Sequence, residues 1–80
     1  MTKVVLEGLK IGEPYIEGGS FATNAGTYNG NWYQAHAEDA DGNEYTVIWT
    51  DVDWDDEEGD ACDWDNPDYV LDEDWNECEF

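Results

Sequence analysis

The chain has 80 residues and a net charge of −20, because its 22 Asp and Glu are opposed by two Lys and no Arg. Direct nucleic-acid binding is excluded, since that affinity rests on Lys and Arg neutralising phosphates. A chain of this length forms one small domain, and 15% aromatic residues argue against a disordered one. No run approaches the roughly 18 apolar residues of a membrane span, and no signal peptide is visible, so we expect a cytoplasmic protein without a membrane partner.

The acidic residues are concentrated in one half of the sequence. Residues 1–37 contain Glu7, Glu13, Glu17 and both lysines, for a net charge of −1, whereas residues 38–80 contain the other 19 acids and no base, for −19. Adaptation to high salt would spread acids over the whole surface, so this asymmetry indicates a binding surface. We expect a single domain, 1–80, with a near-neutral region 1–37 and an acidic face 38–80.

The first third predicts one strand and then a loop. Residues 4–11 are β-branched and apolar enough for a strand, which Gly12 and Pro14 would end. The segments 18–20 and 24–26 are rich in Gly and Asn and predict a loop region around Phe21.

The middle third predicts a central hairpin over residues 31–52. Segments 31–38 and 43–52 alternate like strands. A type I turn opened by Asp39, with Gly42 in the left-handed position, sets the register. One face then holds Tyr33, Ala35, Ala37, Tyr45, Val47 and Trp49. The other holds Trp32, Gln34, His36 and Glu38 with Thr46, Ile48 and Thr50, and His36 is expected there as an ordinary half-buried residue.

The last third supports two readings. Asn66 as N-cap, Pro67 at the first position and Asp68 in the first turn are typical of a helix start, which would give a short C-terminal helix 67–78. The acids at the C-terminal end oppose the helix dipole, and residues 69–71 fit a short strand equally well. We therefore predict a mainly β fold, a small antiparallel sheet, with α+β as the alternative if the helix forms.

The acid-rich run is the candidate site. Ten carboxylates and two tryptophans are the residues we expect to contact a partner: Asp51, Asp53, Asp55, Asp56, Glu57, Glu58, Asp60, Asp63, Asp65 and Asp68, with Trp54 and Trp64. Trp54, Trp64 and Trp75 each follow an Asp. We expect at least two of the three to anchor the acidic segment on the sheet, and an exposed one to be suited to Arg.

The sequence contains no residue pattern typical of a metal site or an active site. Asp51, Asp53 and Asp55 match the first EF-hand positions, but Asp56 stands where Gly is needed and Cys62 where a bidentate Glu is needed. Cys62, Cys78 and His36 lack the paired spacing of a zinc site. Both cysteines are expected to be free thiols, and the acids beside Cys62 disfavour its thiolate. We expect no enzymatic activity, no cofactor and no dedicated metal, with weak divalent-cation binding as a minor reading.

The acid-dense stretch 51–60, with 63–68 after it, in an 80-residue chain without Arg resembles the small acidic DNA-mimic proteins of phages and mobile elements, including anti-restriction and anti-CRISPR inhibitors. The likeness covers residues 38–80, and such mimics share no single fold. It implies an inhibitor that occupies the basic surface of a nucleic-acid-binding protein. Two alternatives stay open: an acidic interaction module or buffer for a basic protein without DNA mimicry, and an acidic segment that folds only when bound.

Overall fold

The computed structural model describes residues 3–80 and confirms the mainly β fold. Its strands form one antiparallel sheet: β1 (Lys10–Ile11), β2 (Tyr15–Thr23), β3 (Gly26–Glu38), β4 (Glu44–Trp49) and β5 (Tyr69–Leu71). β3 lies at the centre, with β1 and β2 in succession along one edge, β4 on the other edge and β5 beyond β4. None of the helical turns within residues 3–80 has the length and apolar character needed to cross a bilayer.

The predicted β3–β4 register is confirmed. Tyr33 pairs with Trp49 and Ala35 with Val47. In the turn, the Gly42 N–H donates to the Asp39 carbonyl at 3.1 Å, and Gly42 has φ +85°. This left-handed conformation explains why glycine stands there. The Asp39 carboxylate accepts hydrogen bonds from the Asn43 side chain and from backbone N–H groups of the turn, which lowers its pKa.

Both faces of this sheet are covered. The predicted apolar face is buried, with Tyr45 at its margin, and it packs against Val4, Leu6 and Leu9 on one side. The opposite face holds a second cluster of Phe21, Trp32, Ile48 and Leu71. His36, expected to be half-buried on that face, is instead exposed and lies 3.4 Å from the Glu44 carboxylate.

The strand predicted for residues 4–11 is wrong in extent. Leu6–Gly8 forms a single 3₁₀ turn, and only Lys10–Ile11 pairs with β3. Val4, Leu6 and Leu9 all pack on the core. Positions 6 and 9 are three apart and share a face in a 3₁₀ turn, whereas strict alternation would point them to opposite sides.

The turn predicted at 24–26 is present at residues 24–25, but the loop predicted around Phe21 is wrong, because β2 pairs with β3 without a break from Tyr15 to Thr23. Its glycines bend the ribbon rather than end it: Gly19 and Gly30 lie directly opposite each other, with φ +127° and +132°. In the bent hairpin, the centroid of the Phe21 ring lies 5.4 Å from the centroid of the Tyr69 ring. Its tip is held by two hydrogen bonds from Asn24 to the Glu77 carboxylate.

The helix 67–78 does not form, and the α+β alternative is wrong. Residues 69–71 form β5, which pairs with β4. Val70 and Leu71 are both fully buried, one in each core cluster. Consecutive residues reach opposite faces of a sheet, as a strand requires and a helix does not permit. Further on, Trp75 has φ +63°, a conformation incompatible with a right-handed helix.

Candidate interaction surface

Residues 50–68 join β4 to β5, and we refer to them as the acidic connection. They contain all ten of the acids predicted to contact a partner. Glu58–Asp60 forms a 3₁₀ turn, and hydrogen-bonded turns lie at 53–56 and 63–66. The structure therefore keeps the predicted ionic residues together on one segment. Whether that segment is a defined surface depends on how it is attached to the sheet.

Two tryptophans attach it, as predicted. Trp54 stacks on Tyr33 with ring centroids 5.4 Å apart and an interplanar angle of 15°. Trp64 makes edge-on contacts with Tyr33 at 5.2 Å and with Trp49 at 5.1 Å. Its indole N–H donates to the Gly59 carbonyl at 3.1 Å, which ties two parts of the connection together. Such aromatic pairs contribute about 0.5–1.5 kcal/mol each beyond area burial.

Burial of Ala61 adds a further anchor. Its side chain is 4% exposed within the core cluster under Tyr33 and Trp49, and its carbonyl accepts the Asp53 N–H at 2.7 Å. The connection is thereby folded back on itself over the sheet. Trp54 keeps 48% of its surface exposed although it stacks on Tyr33, whereas Trp75 lies outside the connection and is 46% exposed.

Three of the predicted contact carboxylates hold the backbone of the connection itself. Asp68 accepts the N–H groups of Thr50 at 2.7 Å and of Asp51 at 3.1 Å. Asp53 accepts the N–H two residues ahead at 3.1 Å. Asp63 does the same at 3.3 Å and also accepts the side-chain amide of Asn66 at 2.8 Å. We call Asp53, Asp63 and Asp68 the folding carboxylates.

Six other carboxylates of the predicted set are exposed and accept no hydrogen bond from residues 3–80. We call these the free carboxylates: Asp51, Asp55, Glu57, Glu58, Asp60 and Asp65. Asp56 belongs to neither group, because its carboxyl hydrogen-bonds to the Asp53 side chain and not to a backbone N–H. A hydrogen bond to Asp53, together with repulsion from its charge, raises the pKa of the Asp56 carboxyl.

This division was missed in the sequence, although part of its signal was present. Asp53–Asp55 and Asp63–Asp65 are Asp-x-Asp segments, and an Asp side chain commonly accepts the N–H two residues on. The role of Asp68 had no comparable signal, because its two donors are 17 and 18 residues away. It depends on the pairing of β5 with β4.

The cysteines are free thiols, as expected. Burial raises the pKa of Cys62 to about 11, and the charges of Asp68, Asp51 and Asp63 add to the shift. Burial also raises the pKa of Cys78. Both groups are therefore protonated near neutral pH. Within residues 3–80 no three His, Cys, Asp or Glu side chains converge in a way that could hold a metal ion.

Comparison with protein-family models, curated proteins and solved structures gives no match to this chain. Its function is therefore argued from its own geometry and charge.

Proposed function

We propose that this protein is a DNA-mimic inhibitor that occupies the basic nucleic-acid-binding surface of a partner protein, of the kind found in host defence complexes. The observation that carries the proposal is the set of six free carboxylates on a segment attached to the sheet by aromatic contacts. Carboxylates that already accept hydrogen bonds have less capacity for an Arg, whereas the free ones offer both oxygens for bidentate pairing.

The overall charge density supports the same proposal. The Cα trace measures 37 × 27 × 15 Å, and the residues outside the described range carry no charged side chain. A charge of −20 over the 37 Å length amounts to about one charge per 1.9 Å. Duplex DNA carries one per roughly 1.7 Å of axis. A groove that binds DNA would therefore meet a similar density of negative charge.

Attachment of the acidic connection favours mimicry over an unstructured acidic buffer. A partner that binds a flexible acidic chain must order its backbone, at a cost of about 1–2 kcal/mol per residue. The contacts of Trp54, Trp64 and Ala61 have already ordered this backbone in the free protein. The acidic buffer is the second candidate, and the near-absence of basic residues favours it equally, so the test must separate the two.

The test compares two quadruple variants that remove the same charge. One neutralises free carboxylates: Asp51→Asn, Asp55→Asn, Glu57→Gln and Asp60→Asn. The matched control neutralises exposed acids elsewhere: Glu38→Gln, Asp41→Asn, Asp74→Asn and Glu79→Gln. A partner is first isolated on the immobilised parent protein by elution with a salt gradient, and is then titrated with each variant and with duplex DNA.

A DNA mimic should compete with the duplex for one site, and the first variant should lose at least about tenfold more affinity than the control, because each lost contact to a charged group costs about 1.5 kcal/mol or more. Equal losses from both variants would support the buffer instead. Simultaneous binding of protein and duplex to the partner would contradict the proposal.

A further inference from the structure

A cleft of about 470 Å³ opens beside the acidic connection. Its apolar lining consists of Ile11, Pro14, Trp49 and Trp64. Two acidic side chains, Glu13 and Glu58, line it as well. Its volume falls within the range of small-ligand pockets. Ile11 is 40% exposed, and Trp64 is half-buried, so the cleft presents apolar surface to solvent.

Strand register explains why these residues meet. Ile11 pairs with Ala37, and Ala37 belongs to the same buried face as Trp49. The chain between β1 and β2 passes along that edge and places Glu13 and Pro14 beside the tryptophans of the connection. Glu13 belongs to the near-neutral part of the sequence, yet it shares a cleft with Glu58 of the acidic connection.

We propose that this cleft binds an arginine side chain of the partner. The proposal rests on the function proposed above and names the group recognised. An arginine has a methylene stem that can cover Ile11 and Pro14. Its guanidinium can stack on the exposed part of Trp64 while it pairs with a carboxylate.

Charge and desolvation select against other occupants. Both ionisable side chains that line the cleft are acidic, and neither lysine lines it, so an anion would be repelled. A purely apolar group would cover Glu13 and Glu58 without pairing them, and burial of an unpaired carboxylate is strongly unfavourable. A lysine could pair with the carboxylates, but it cannot stack as a planar cation.

The experiment uses two probes of equal charge, a hexa-arginine peptide and a hexa-lysine peptide, titrated into the full chain. Indole N–H resonances report the site, since Trp64 lines the cleft and Trp75 is an exposed indole outside it. We expect the arginine peptide to bind about threefold to tenfold more tightly, because its planar guanidinium can stack on the indole while it pairs with a carboxylate. The Trp64 indole signal should shift and the Trp75 signal should not.

A double variant then assigns the preference to the cleft. Glu13→Gln with Glu58→Gln should abolish the preference for arginine, whereas Glu7→Gln with Glu79→Gln, which removes equal charge from exposed acids that neither line the cleft nor belong to the acidic connection, should preserve it. Equal affinity of the two peptides for the parent protein would overturn the proposal, as would equal loss of preference in both double variants. Neither result would affect competition with the duplex, so failure of the cleft and failure of DNA mimicry are separable.

Discussion

The β2–β3 hairpin and the acidic connection have similar lengths, yet they are held together by different groups. Residues 15–34 contain a single acid, Glu17, and on both sides of the turn at 24–25 they pair strand to strand. Residues 50–68 contain ten acids and no strand. There the folding carboxylates accept backbone N–H groups that no ladder satisfies.

The difference shows how a chain with this charge can form a defined surface. Mutual repulsion of so many carboxylates opposes a compact state. Each carboxylate that accepts N–H groups offsets some of that repulsion, because the donors stabilise its charge locally. The remaining carboxylates keep their capacity for a partner. Acidic residues in this protein therefore have two roles, which a net charge does not distinguish.

The largest expected effect is on the sheet side of the comparison. Trp49 is 2% exposed and contacts Trp64, so Trp49→Ala should lower the free energy of unfolding by about 3–5 kcal/mol. Trp75→Ala, at an exposed position, should change it by less than about 0.5 kcal/mol. Urea denaturation measures both. A Trp49→Ala protein that unfolds at the parent's midpoint would show that the connection does not depend on the sheet.

The next effect concerns thiol reactivity within the connection. At pH 8 a thiol with the ordinary pKa of 9.0 is about one-tenth ionised, and one with the Cys62 pKa of about 11 is about one-thousandth ionised. Iodoacetamide should therefore modify Cys62 about a hundredfold more slowly in the folded protein than in concentrated urea. Because the folded-state pKa is the higher one, the associated stability is present below pH 9 and is lost as the pH rises towards 11. Equal rates in both states would show that Cys62 is not packed against the core.

A smaller effect separates the two classes of carboxylate. Asp68→Ala removes the acceptor for two backbone N–H groups and should cost about 1 kcal/mol of stability, as loss of a comparable capping side chain does. Asp65→Ala removes an equal charge from a free carboxylate and should be neutral or slightly stabilising. Thermal unfolding of the two variants side by side checks this. A stability loss of equal size in both would show that the division is not real.

The parts that the sequence predicted are those with strong local signals. The β3–β4 register followed from small residues opposite large ones and from Asp39 and Gly42 in the turn. The glycines of β2 and β3 led to the wrong prediction of a loop, because a glycine can either end a strand or bend it. Only the packing of Phe21 decides between these two outcomes. Asn66-Pro67-Asp68 misled for a similar reason, since an acid that could begin a helix instead accepts N–H groups from a distant strand end.

For the site, composition located the acidic segment but could not rank its members. All ten acids look alike in sequence, apart from the Asp-x-Asp spacing. Glu13 was overlooked, because its nearness to Glu58 arises from the pairing of β1 with β3 and from the path of the acidic connection over the sheet. Both depend on contacts between residues far apart in the chain.

Amide hydrogen exchange on the free protein tests the central claim most directly, namely that the acidic connection is ordered before any partner binds. The N–H groups of Thr50, Asp51 and Asp53 have acceptors and should exchange at least about tenfold more slowly than in an unstructured chain. Those of Glu57 and Glu58, which donate to no group in residues 3–80, serve as internal controls and should exchange freely. Free exchange of all five, with the β3–β4 amides still protected, would contradict the claim and favour a segment that folds only on its partner.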